Sequence, residues 1–437
     1  MNFDRLFKRA SEKGLEALQV HLVSIETLDF HVFNSELDKH QIADTSHLSI
    51  KGIYDGKMGK TATEIIHDDQ IDTWLDAIIA SAKAIENTDE VFIYEGDASY
   101  KDIDLFKESK LNTLSHQDKL SLVHTLEEKV KGLDEKVKIS QAFYGESTKK
   151  VLLKNSKGLH LEKNIKNAVL GADVVIRDES DSRSAFDFVQ TNDPNDFDLD
   201  AIAHNVVERG RKMLGAKSLP SGKYNILLEN RASATLLAGY VGMFKAETVQ
   251  KGLSKLKDKV HTVVASERVT LVDDPFMKKS TKSGGFDDEG VATSFKNVID
   301  KGKLTTYLYD LKTAKKDGIE STGNAFSGGI SPTNFYFQPG DTSFDALVES
   351  LKDGLIITSL QGVHSGTNAV SGDFSLQASG FLVKNGEIER PISLFTIAGN
   401  YLTLLNNVSA IGSDLKFTFM YTGSPTLRID NVVVSGE

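Results

Sequence analysis

The chain contains no cysteine among its 437 residues. This absence excludes disulfide bonds, catalysis by a thiolate and any zinc site built with cysteine, and it fits a reducing compartment. No stretch approaches the ~20 apolar residues that a membrane-spanning helix needs. The start, Met1-Asn2-Phe3-Asp4-Arg5, also lacks the apolar core of a signal peptide. We therefore expect a cytoplasmic protein without a membrane partner.

An excess of basic charge is also missing, since the formal net charge is -11 at pH 7. Neutralising phosphates requires a basic surface, so nucleic acid is not an expected partner. The sequence has neither the glycine-rich phosphate loops nor the Gly-x-Ser-x-Gly elbow of hydrolases. No two of the eleven histidines are four residues apart, which excludes the helical histidine pair of many zinc enzymes.

The length exceeds that of one compact domain, so two or three domains are expected. The clearest linker is Gly215-Ala-Lys-Ser-Leu-Pro-Ser-Gly222, which is small and polar and contains proline and glycine together. We place the boundary there and predict an α+β protein. Residues 1–215 form an N-terminal domain of helices and antiparallel strands, and residues 222–437 form a C-terminal domain of mostly curved β-sheet or barrel with a buried helix.

Hydrophobic periodicity supports this division. Alternating residues predict antiparallel strands at 17–23, 28–33 and 48–54, and further strands between 137 and 190. A helical period predicts helices at 3–13, 71–85, 117–133, 199–214, 231–245 and near 344–351. The helix at 231–245 has few charges and is predicted to be buried on most of its surface.

The stretch from Val269 to Gly290 concentrates carboxylates in two turn-like clusters, Asp273-Asp274-Pro275 and Asp287-Asp288-Glu289-Gly290. Glycines beside the second cluster allow a positive φ and a close approach of another chain segment. Clustered oxygens suit a calcium or magnesium ion, although the spacing differs from the twelve-residue calcium loop. The alternative is a structural turn whose carboxylates meet backbone amides or lysines such as Lys278 and Lys282.

Two groups of short motifs follow in order along the C-terminal half. The first comprises Val269-Thr-Leu-Val-Asp-Asp-Pro275, Phe286-Asp-Asp-Glu-Gly-Val291, Asp300-Lys-Gly-Lys-Leu304 and Ser321-Thr-Gly-Asn324. The second comprises Ser371-Gly-Asp-Phe-Ser375, Gly380, Asn385-Gly-Glu-Ile388, Pro391 and Ile397-Ala-Gly-Asn400. Their order and spacing resemble the TldD/PmbA family, also called modulators of DNA gyrase, and the resemblance covers essentially the whole chain.

The resemblance implies a choice between two branches of that family. The TldD branch carries His-Glu-x-x-x-His on the preceding helix and is taken to be a zinc protease. Histidines five residues apart point about 140° apart on a regular helix, so that site implies a local distortion of the helix. Here Leu236-Leu237 matches the pair before the first histidine, which places Ala238, Gly239 and Met243 at the three motif positions.

These three side chains offer no zinc donor beyond a methionine sulfur, which binds zinc poorly. The chain therefore resembles the PmbA branch, also called TldE, with no cofactor of its own and zinc expected in a partner subunit. The resemblance implies a non-zinc subunit of a TldD/TldE-type metalloprotease that trims or degrades unfolded or modified peptides. Its expected partners are a TldD-like zinc-bearing subunit in a heterodimer, or a second copy in a homodimer, together with a peptide substrate.

Two rival hypotheses stay open. The chain could be an enzyme in its own right, with Asp287, Asp288, Glu289 and His364 around another metal. It could instead be a homo-oligomeric, non-catalytic binding protein that modulates a partner such as DNA gyrase. Because both branches keep the acidic turn although only one keeps the zinc, we interpret Asp287 to Gly290 as shared scaffold. With His364, this turn is our candidate for peptide or partner contact.

Overall fold

A computed structural model describes residues 1–86, 90–179 and 181–437. By its internal contacts the chain divides into two compact units. The first unit comprises residues 1–175, 185–207 and 278–292, and the second comprises residues 176–184, 208–277 and 293–437. The domain ranges 1–215 and 222–437 stay a prediction. The segment 278–292, which contains the acidic turn, makes its contacts with the first unit although it lies far along the chain.

The helices of the described residues are mostly those that hydrophobic periodicity predicts. They are α1 (Phe3–Glu12), α2 (Ile71–Lys83), α3 (His116–Leu133), α4 (Leu199–Arg211), α5 (Asn230–Tyr240), α6 (Ala246–Gln250), α7 (Leu311–Asp317), α8 (Phe344–Leu351), α9 (Val363–Gly366) and α10 (Tyr401–Asn406). The predicted helix at 231–245 is α5 followed by a 3-10 turn, Val241–Phe244. The short helices α6, α7, α9 and α10 were not predicted, because a stretch this short hardly shows a helical period.

The strands of the described residues follow the same order along the chain. They are β1 (Ala17–Phe33), β2 (Glu36–Tyr54), β3 (Lys57–Thr63), β4 (Val137–Asn155), β5 (His160–Asp178), β6 (Asp181–Thr191), β7 (Gly222–Leu228), β8 (Leu271–Asp273), β9 (Lys296–Asp300), β10 (Lys303–Leu304), β11 (Ala325–Phe326), β12 (Gly329–Ile330), β13 (Phe335–Phe337), β14 (Gly354–Gln361), β15 (Asp373–Lys384), β16 (Glu387–Asn400), β17 (Val408–Ile411), β18 (Lys416–Phe417), β19 (Thr422–Ser424) and β20 (Leu427–Ser435).

The prediction of separate strands at 17–23 and 28–33 is wrong, since both belong to the continuous strand β1. This strand pairs along its length with β2 on one side and with β4 on the other. Backbone pairing on both sides keeps the mostly polar stretch Ser24-Ile-Glu-Thr27 extended, although its side chains do not continue the apolar alternation.

In the first unit the sheet order is β3-β2-β1-β4-β5-β6. Helices α1 and α2 cover one face, where Leu18 and Val20 of β1 pack with Leu6, Trp74 and Leu75. Because side chains alternate along a strand, Gln19 and His21 point to the opposite face. That second face carries the residues that meet the acidic turn.

In the second unit, strands β16-β15-β14-β7-β20 lie in sequence, and an additional pairing of β16 with β20 closes them into a five-stranded barrel. Strands β7 and β14 are parallel, and the other barrel pairs are antiparallel. A further sheet has the order β10-β9-β8-β13-β19-β18. Helix α5 packs against β14, β18 and β19. These features confirm the α+β class and the predicted barrel with a buried helix.

No helix in the described ranges combines the length and the apolar character that crossing a membrane requires.

Candidate functional site

Helix α5 and the 3-10 turn that follows it carry the three positions at which the resemblance places zinc ligands. Ala238 and Gly239 are half-buried in its last turn. The helix ends at Tyr240, and the 3-10 turn Val241–Phe244 carries Met243. The change from α-helix to 3-10 turn separates the second position from the third. The local distortion that such a motif implies is therefore present although the ligands are not.

Gly239 has no room for the side chain that the motif would place there. A Cβ at this position would lie 2.9 Å from Cγ1 of Val363 and 3.2 Å from Oγ1 of Thr367. Val363 begins the short helix α9, which packs on α5. Contacts this short force neighbouring side chains to shift, so a glutamate at position 239 would require Val363 and Thr367 to move.

Met243 is fully buried in the core of the second unit. Its carbonyl oxygen accepts a hydrogen bond of 2.8 Å from the Ser254 hydroxyl, and the adjacent Phe244 lies edge-on to Phe335, with ring centroids 5.6 Å apart. A zinc ion needs nitrogen, thiolate or carboxylate donors. An alanine, a packed glycine and a core methionine do not fit a zinc ion.

The end of α5 is held by Tyr240. Its ring stacks on Tyr401, with centroids 4.1 Å apart and an interplanar angle of 9°. Its hydroxyl donates to the carbonyl oxygens of Gly372 and Asp373 at 3.2 and 2.9 Å. Burial raises the pKa of the Tyr240 hydroxyl above its ordinary value. This hydroxyl therefore stays protonated and acts as a fixed donor near neutral pH.

His364 lies on α9 and is exposed. It belongs to the second unit, whereas Asp287, Asp288 and Glu289 belong to the first. Among the residues that the structure describes, no group of three or more histidine, aspartate or glutamate side chains is placed to hold a metal ion. The hypothesis of a metal held by these residues stays a prediction for metal analysis.

The first acidic cluster is a buried hydrogen-bonding centre of the second unit. Oδ1 of Asp273 accepts from the amide and the hydroxyl of Thr333 at 2.7 and 2.6 Å. Oδ2 accepts from Nδ2 of Asn324 at 2.7 Å and lies 3.0 Å from Nζ of Lys296. Both oxygens are thus used inside the protein, and two family motifs, 269–275 and 321–324, are joined through this carboxylate.

The second acidic cluster is a tight turn organised by Asp287, which is completely buried. Its Oδ1 accepts hydrogen bonds of 2.9 Å from the amides of Glu289 and Val291. Gly290 has φ +92°, the left-handed conformation that favours glycine. A Cβ at Gly285 would lie 2.1 Å from the carbonyl oxygen of Lys101. The flanking glycines therefore provide the positive φ and the close backbone approach that the sequence predicted.

The segment around Tyr100 fastens this turn to the first unit. The Tyr100 hydroxyl donates to the carbonyl oxygen of Gly290 at 2.7 Å. Oδ2 of Asp97 accepts from the amide of Ala292 at 2.6 Å, and its Oδ1 accepts from the Tyr94 hydroxyl at 2.7 Å. These hydrogen bonds hold both ends of the turn in one position.

Asp288 faces a group of basic side chains on the sheet. Its Oδ1 lies 3.7 Å from Nε2 of His21 on β1. Burial lowers the pKa of His21, although Asp288 opposes this effect. Burial also lowers the pKa of Lys163 from 10.5 to about 8, against the opposing attraction of Asp288 and Asp287. Burial likewise lowers the pKa of Lys51 on β2, and the attraction of Glu289 opposes this effect.

Lys163 also contacts the turn through Phe286. Its Nζ lies 5.0 Å from the centroid of the Phe286 ring and donates to the Phe286 carbonyl oxygen at 3.4 Å. A cation near an aromatic ring is attracted by the quadrupole of that ring. Lys163 thus contributes to holding the turn as well as to balancing its charge.

The sequence named backbone amides and lysines such as Lys278 and Lys282 as partners of these carboxylates; the structure shows the backbone amides and adds basic side chains that the sequence did not indicate. Lys278 and Lys282 are close in sequence, whereas His21, Lys51 and Lys163 come from β1, β2 and β5. Of the two predicted lysines, Lys282 acts on Lys163, whose pKa it lowers by repulsion. No local signal connects residues 21 and 288, because only the fold brings them together.

Two family models match the chain in succession. The PmbA/TldA metallopeptidase central domain matches residues 109–214, and the PmbA/TldA metallopeptidase C-terminal domain matches residues 221–436. The segment with α5 and both acidic clusters lies in the second match.

Curated relatives carry metalloprotease names. A metalloprotease of Methanothermobacter thermautotrophicus is 31% identical over 55% of this chain and 56% of its own length. Metalloprotease PmbA of Escherichia coli O157:H7 is 31% identical over 49% of this chain and 46% of its own length. The chain thus spans about half the length of these curated relatives.

Solved structures match over nearly the whole chain. A candidate modulator of a DNA gyrase from Thermotoga maritima has a TM-score of 0.93 and 32% identity, covering 99% of each chain. TldE of Thermococcus kodakarensis has a TM-score of 0.91 at 24% identity, over 99% of this chain and 100% of that one. The second similarity shows the shared fold alone.

The barrel with its buried helix, the two family models and the full-length structural match define one class of protein. The chain belongs to the PmbA/TldD family and is a metalloprotease-like protein of that family.

Proposed function

We propose that this chain is a non-zinc, TldE/PmbA-like subunit of a cytoplasmic TldD/TldE-type protease that trims or degrades unfolded or modified peptides. The observation that carries the proposal is the lack of zinc-binding side chains at the motif positions of α5 and the turn after it, in a chain of this family. Ala238 and Gly239 offer no donor, Gly239 is packed against Val363 and Thr367, and Met243 lies in the core. Zinc would be supplied by a TldD-like partner in a heterodimer.

The role proposed for this chain is to close a chamber with the zinc-bearing subunit and to hold an extended peptide by strand addition. Backbone hydrogen bonds would then provide most of the affinity. Selection would depend on whether the peptide is unfolded rather than on its side chains. In this proposal the half-buried Asp288 and Glu289 of the acidic turn and the exposed His364 contact the peptide or the partner, while the buried Asp287 and Gly290 keep the turn in shape.

The test is co-expression of this chain with a zinc-bearing homologue from the same genome, followed by purification through a tag on one chain. We expect both chains to co-purify and an unfolded peptide to be cleaved only when both are present. Equal cleavage with and without this chain, together with no co-purification, would contradict the proposal. Stoichiometric zinc or manganese in this chain purified alone would instead favour an enzyme in its own right.

A second candidate is a homo-oligomeric binding protein without catalytic activity that modulates a partner such as DNA gyrase. The supporting observation is the match over 99% of the chain to the Thermotoga maritima protein named as a candidate gyrase modulator. The net charge of -11 leaves the basic DNA path of gyrase as the favourable target. A pull-down that retains gyrase and no zinc-bearing homologue would favour this candidate over the first.

A further inference from the structure

The second unit carries a basic surface although the chain as a whole is acidic, with a net charge of -11. Residues 252–268 and 300–303 contain three carboxylates and six cationic side chains, which are Lys255, Lys257, Lys259, Arg268, Lys301 and Lys303. All six are exposed, and Lys255 interacts electrostatically with Asp373. Charge of this kind acts over one Debye length, ~8 Å at physiological salt, so a small ligand meets the local sign rather than the total.

Backbone hydrogen bonds bring the two segments of this basic surface together. The amide of Val264 donates to the carbonyl oxygen of Gly302 at 2.8 Å, and the amide of His261 donates to the carbonyl oxygen of Leu304 at 2.7 Å. The turn 300–303 therefore lies directly beside the loop that leads into His261. The cations of both segments belong to one surface.

The cations other than Lys255 are not used in salt bridges. Within the ranges that the structure describes, no salt bridge is formed by the side chains of Lys257, Lys259, Arg268, Lys301 and Lys303. The lysines before and between these segments differ, since Lys251 is 2.5 Å from Glu247 and Lys296 is 3.0 Å from Asp273. The basic surface thus keeps its charge available to another molecule.

An apolar side chain and a free backbone edge lie among these cations. Val263 is 75% exposed and faces Lys303 of β10 across an antiparallel bridge. The hydrogen bonds of this bridge belong to the neighbours of Val263, which are Thr262 and Val264. The amide and the carbonyl oxygen of Val263 therefore point away from β10, and neither makes a hydrogen bond to any described residue. Such an edge is a template for another strand.

We propose that this basic surface binds an extended acidic segment of another polypeptide, which pairs with Val263 as an added strand. Strand addition takes its affinity from main-chain hydrogen bonds and its specificity from the side chains beside the edge. Here the unpaired backbone of Val263 supplies the first, and Lys257, Lys259 and Lys303 supply the second. The segment carries aspartate or glutamate around an apolar residue that packs on Val263. This inference does not depend on the proposed protease role.

A nucleic acid is the less favourable ligand for the same charges. Proteins bind single strands by stacking the bases on aromatic side chains, and residues 252–268 and 300–303 contain no phenylalanine, tyrosine or tryptophan. A long polyanion would also meet the net charge of -11. The exposed valine and its unpaired backbone suit a polypeptide, because only a polypeptide offers a matching main chain.

The first experiment measures the binding of a fluorescein-labelled peptide, Glu-Val-Glu-Val-Glu-Val-Glu, to the full chain by fluorescence anisotropy. We expect saturable binding that weakens as salt is raised, since salt screens exposed charges. The double variant Lys257→Glu with Lys259→Glu should raise the Kd about tenfold. The matched control is Lys223→Glu with Lys352→Glu, because both lysines are exposed in the same unit and the change in net charge is equal.

Three results of this experiment would overturn the inference. The first is peptide binding that does not saturate, and the second is a Kd that rises equally in the two double variants. The third is a labelled single-stranded oligonucleotide of the same charge that binds more tightly than the peptide, because the surface would then serve a nucleic acid.

The second experiment tests the added strand with Val263→Pro. Proline has no amide hydrogen, and the amide of Val263 donates to no described residue, so this change removes no native hydrogen bond. We expect weaker peptide binding by Val263→Pro and nearly unchanged binding by Val263→Thr, which keeps the amide and the β-branched shape. Thermal unfolding of both variants checks that the fold is kept. A folded Val263→Pro chain that binds the peptide as well as the wild type does would overturn the strand pairing.

Discussion

The vacated face of α5 and the acidic turn at 287–290 belong to the same family pattern but have different physical states. On α5, the positions of the motif hold small or apolar residues, and the space around Gly239 is filled by Val363 and Thr367. In the acidic turn, the carboxylates remain and are satisfied from within the protein, Asp287 by two backbone amides. Both regions are therefore closed, one by packing and the other by hydrogen bonds.

Residue type alone therefore does not identify a site in this protein. A cluster of carboxylates suggests a cation site. In this protein it organises a turn and interacts electrostatically with His21, Lys51 and Lys163. Ala238 and Gly239 on α5 and Met243 on the following 3-10 turn have no metal-binding character, yet they occupy the positions that the resemblance assigns to zinc ligands. Three sets of substitutions test whether packing closes the motif positions after α5 begins and hydrogen bonds close the acidic turn.

The largest effect is expected from restoring the motif on α5 with Ala238→His, Gly239→Glu and Met243→His. An imidazole in place of the buried Met243 should cost about 2–4 kcal/mol, and a side chain at Gly239 should add about 1–3 kcal/mol through overpacking. We therefore expect a strongly destabilised chain that binds no stoichiometric zinc. Denaturant unfolding and elemental analysis measure the two outcomes.

Met243→Leu is the control, since a volume-conserving apolar change should cost less than about 1.5 kcal/mol. If the restored triple variant bound zinc and became more stable with it, the α5 site would be intact apart from its ligands. In that case the space at Gly239 would not be closed by packing, and the motif positions would lack only their ligand side chains.

A smaller effect is expected within the acidic turn, and it should differ between neighbours. Asp287→Ala removes an acceptor from two amides and should cost about 2–3 kcal/mol. Asp288→Ala removes partly exposed electrostatic contacts with His21 and the neighbouring lysines and should cost less than about 1 kcal/mol. Denaturant unfolding of both variants decides the comparison. Equal losses would show that the turn depends on its total charge rather than on the hydrogen bonds of Asp287.

The smallest effect is expected in the pH dependence of stability near Lys163. Its pKa is about 8 in the folded chain and 10.5 as the ordinary value. Between these values the unfolded chain binds the proton and the folded chain does not, so the free energy of unfolding should rise with pH from about 8 to 10.5. Lys163→Gln should reduce this rise.

The exposed Lys150, which is 3.0 Å from Glu26, supplies the control Lys150→Gln. Urea unfolding at several alkaline pH values measures the difference from the wild type for both variants. A rise that is identical in the wild type and in Lys163→Gln would show that burial beside the acidic turn does not perturb this lysine.

Much of the fold was predictable because it depends on local patterns. Helices α1 to α4 and α8 follow apolar periodicity, and α5 was recognisable as buried from its lack of charge. Some signals were present and missed. Asp310 and Thr313 form a capping box at the start of α7, and Gly318 ends it with φ +69°. The continuity of β1 was not predictable, since pairing with β2 and β4 overrides the polar residues in its middle.

Some features of the candidate site could likewise be predicted from the sequence, and others could not. The identities at 238, 239 and 243 exclude a complete zinc ligand set from the sequence alone, because donor atoms are a property of the residue type. The glycines around the acidic turn likewise predicted its backbone geometry. The packing of Val363 and Thr367 on Gly239 could not be predicted, since residues more than a hundred positions apart have no pattern that links them.

The α+β class, the family resemblance, the absence of cysteine thiols and the lack of good zinc donors at positions 238, 239 and 243 all follow from the sequence. These depend on composition, periodicity and motif order, which are local properties. Only the tertiary structure decided that the space at Gly239 is occupied, that Asp287 is satisfied by amides, and that His21 and Lys163 face Asp288. Burial and charge pairing arise from side chains that meet through the fold, so they depend on which distant segments come into contact.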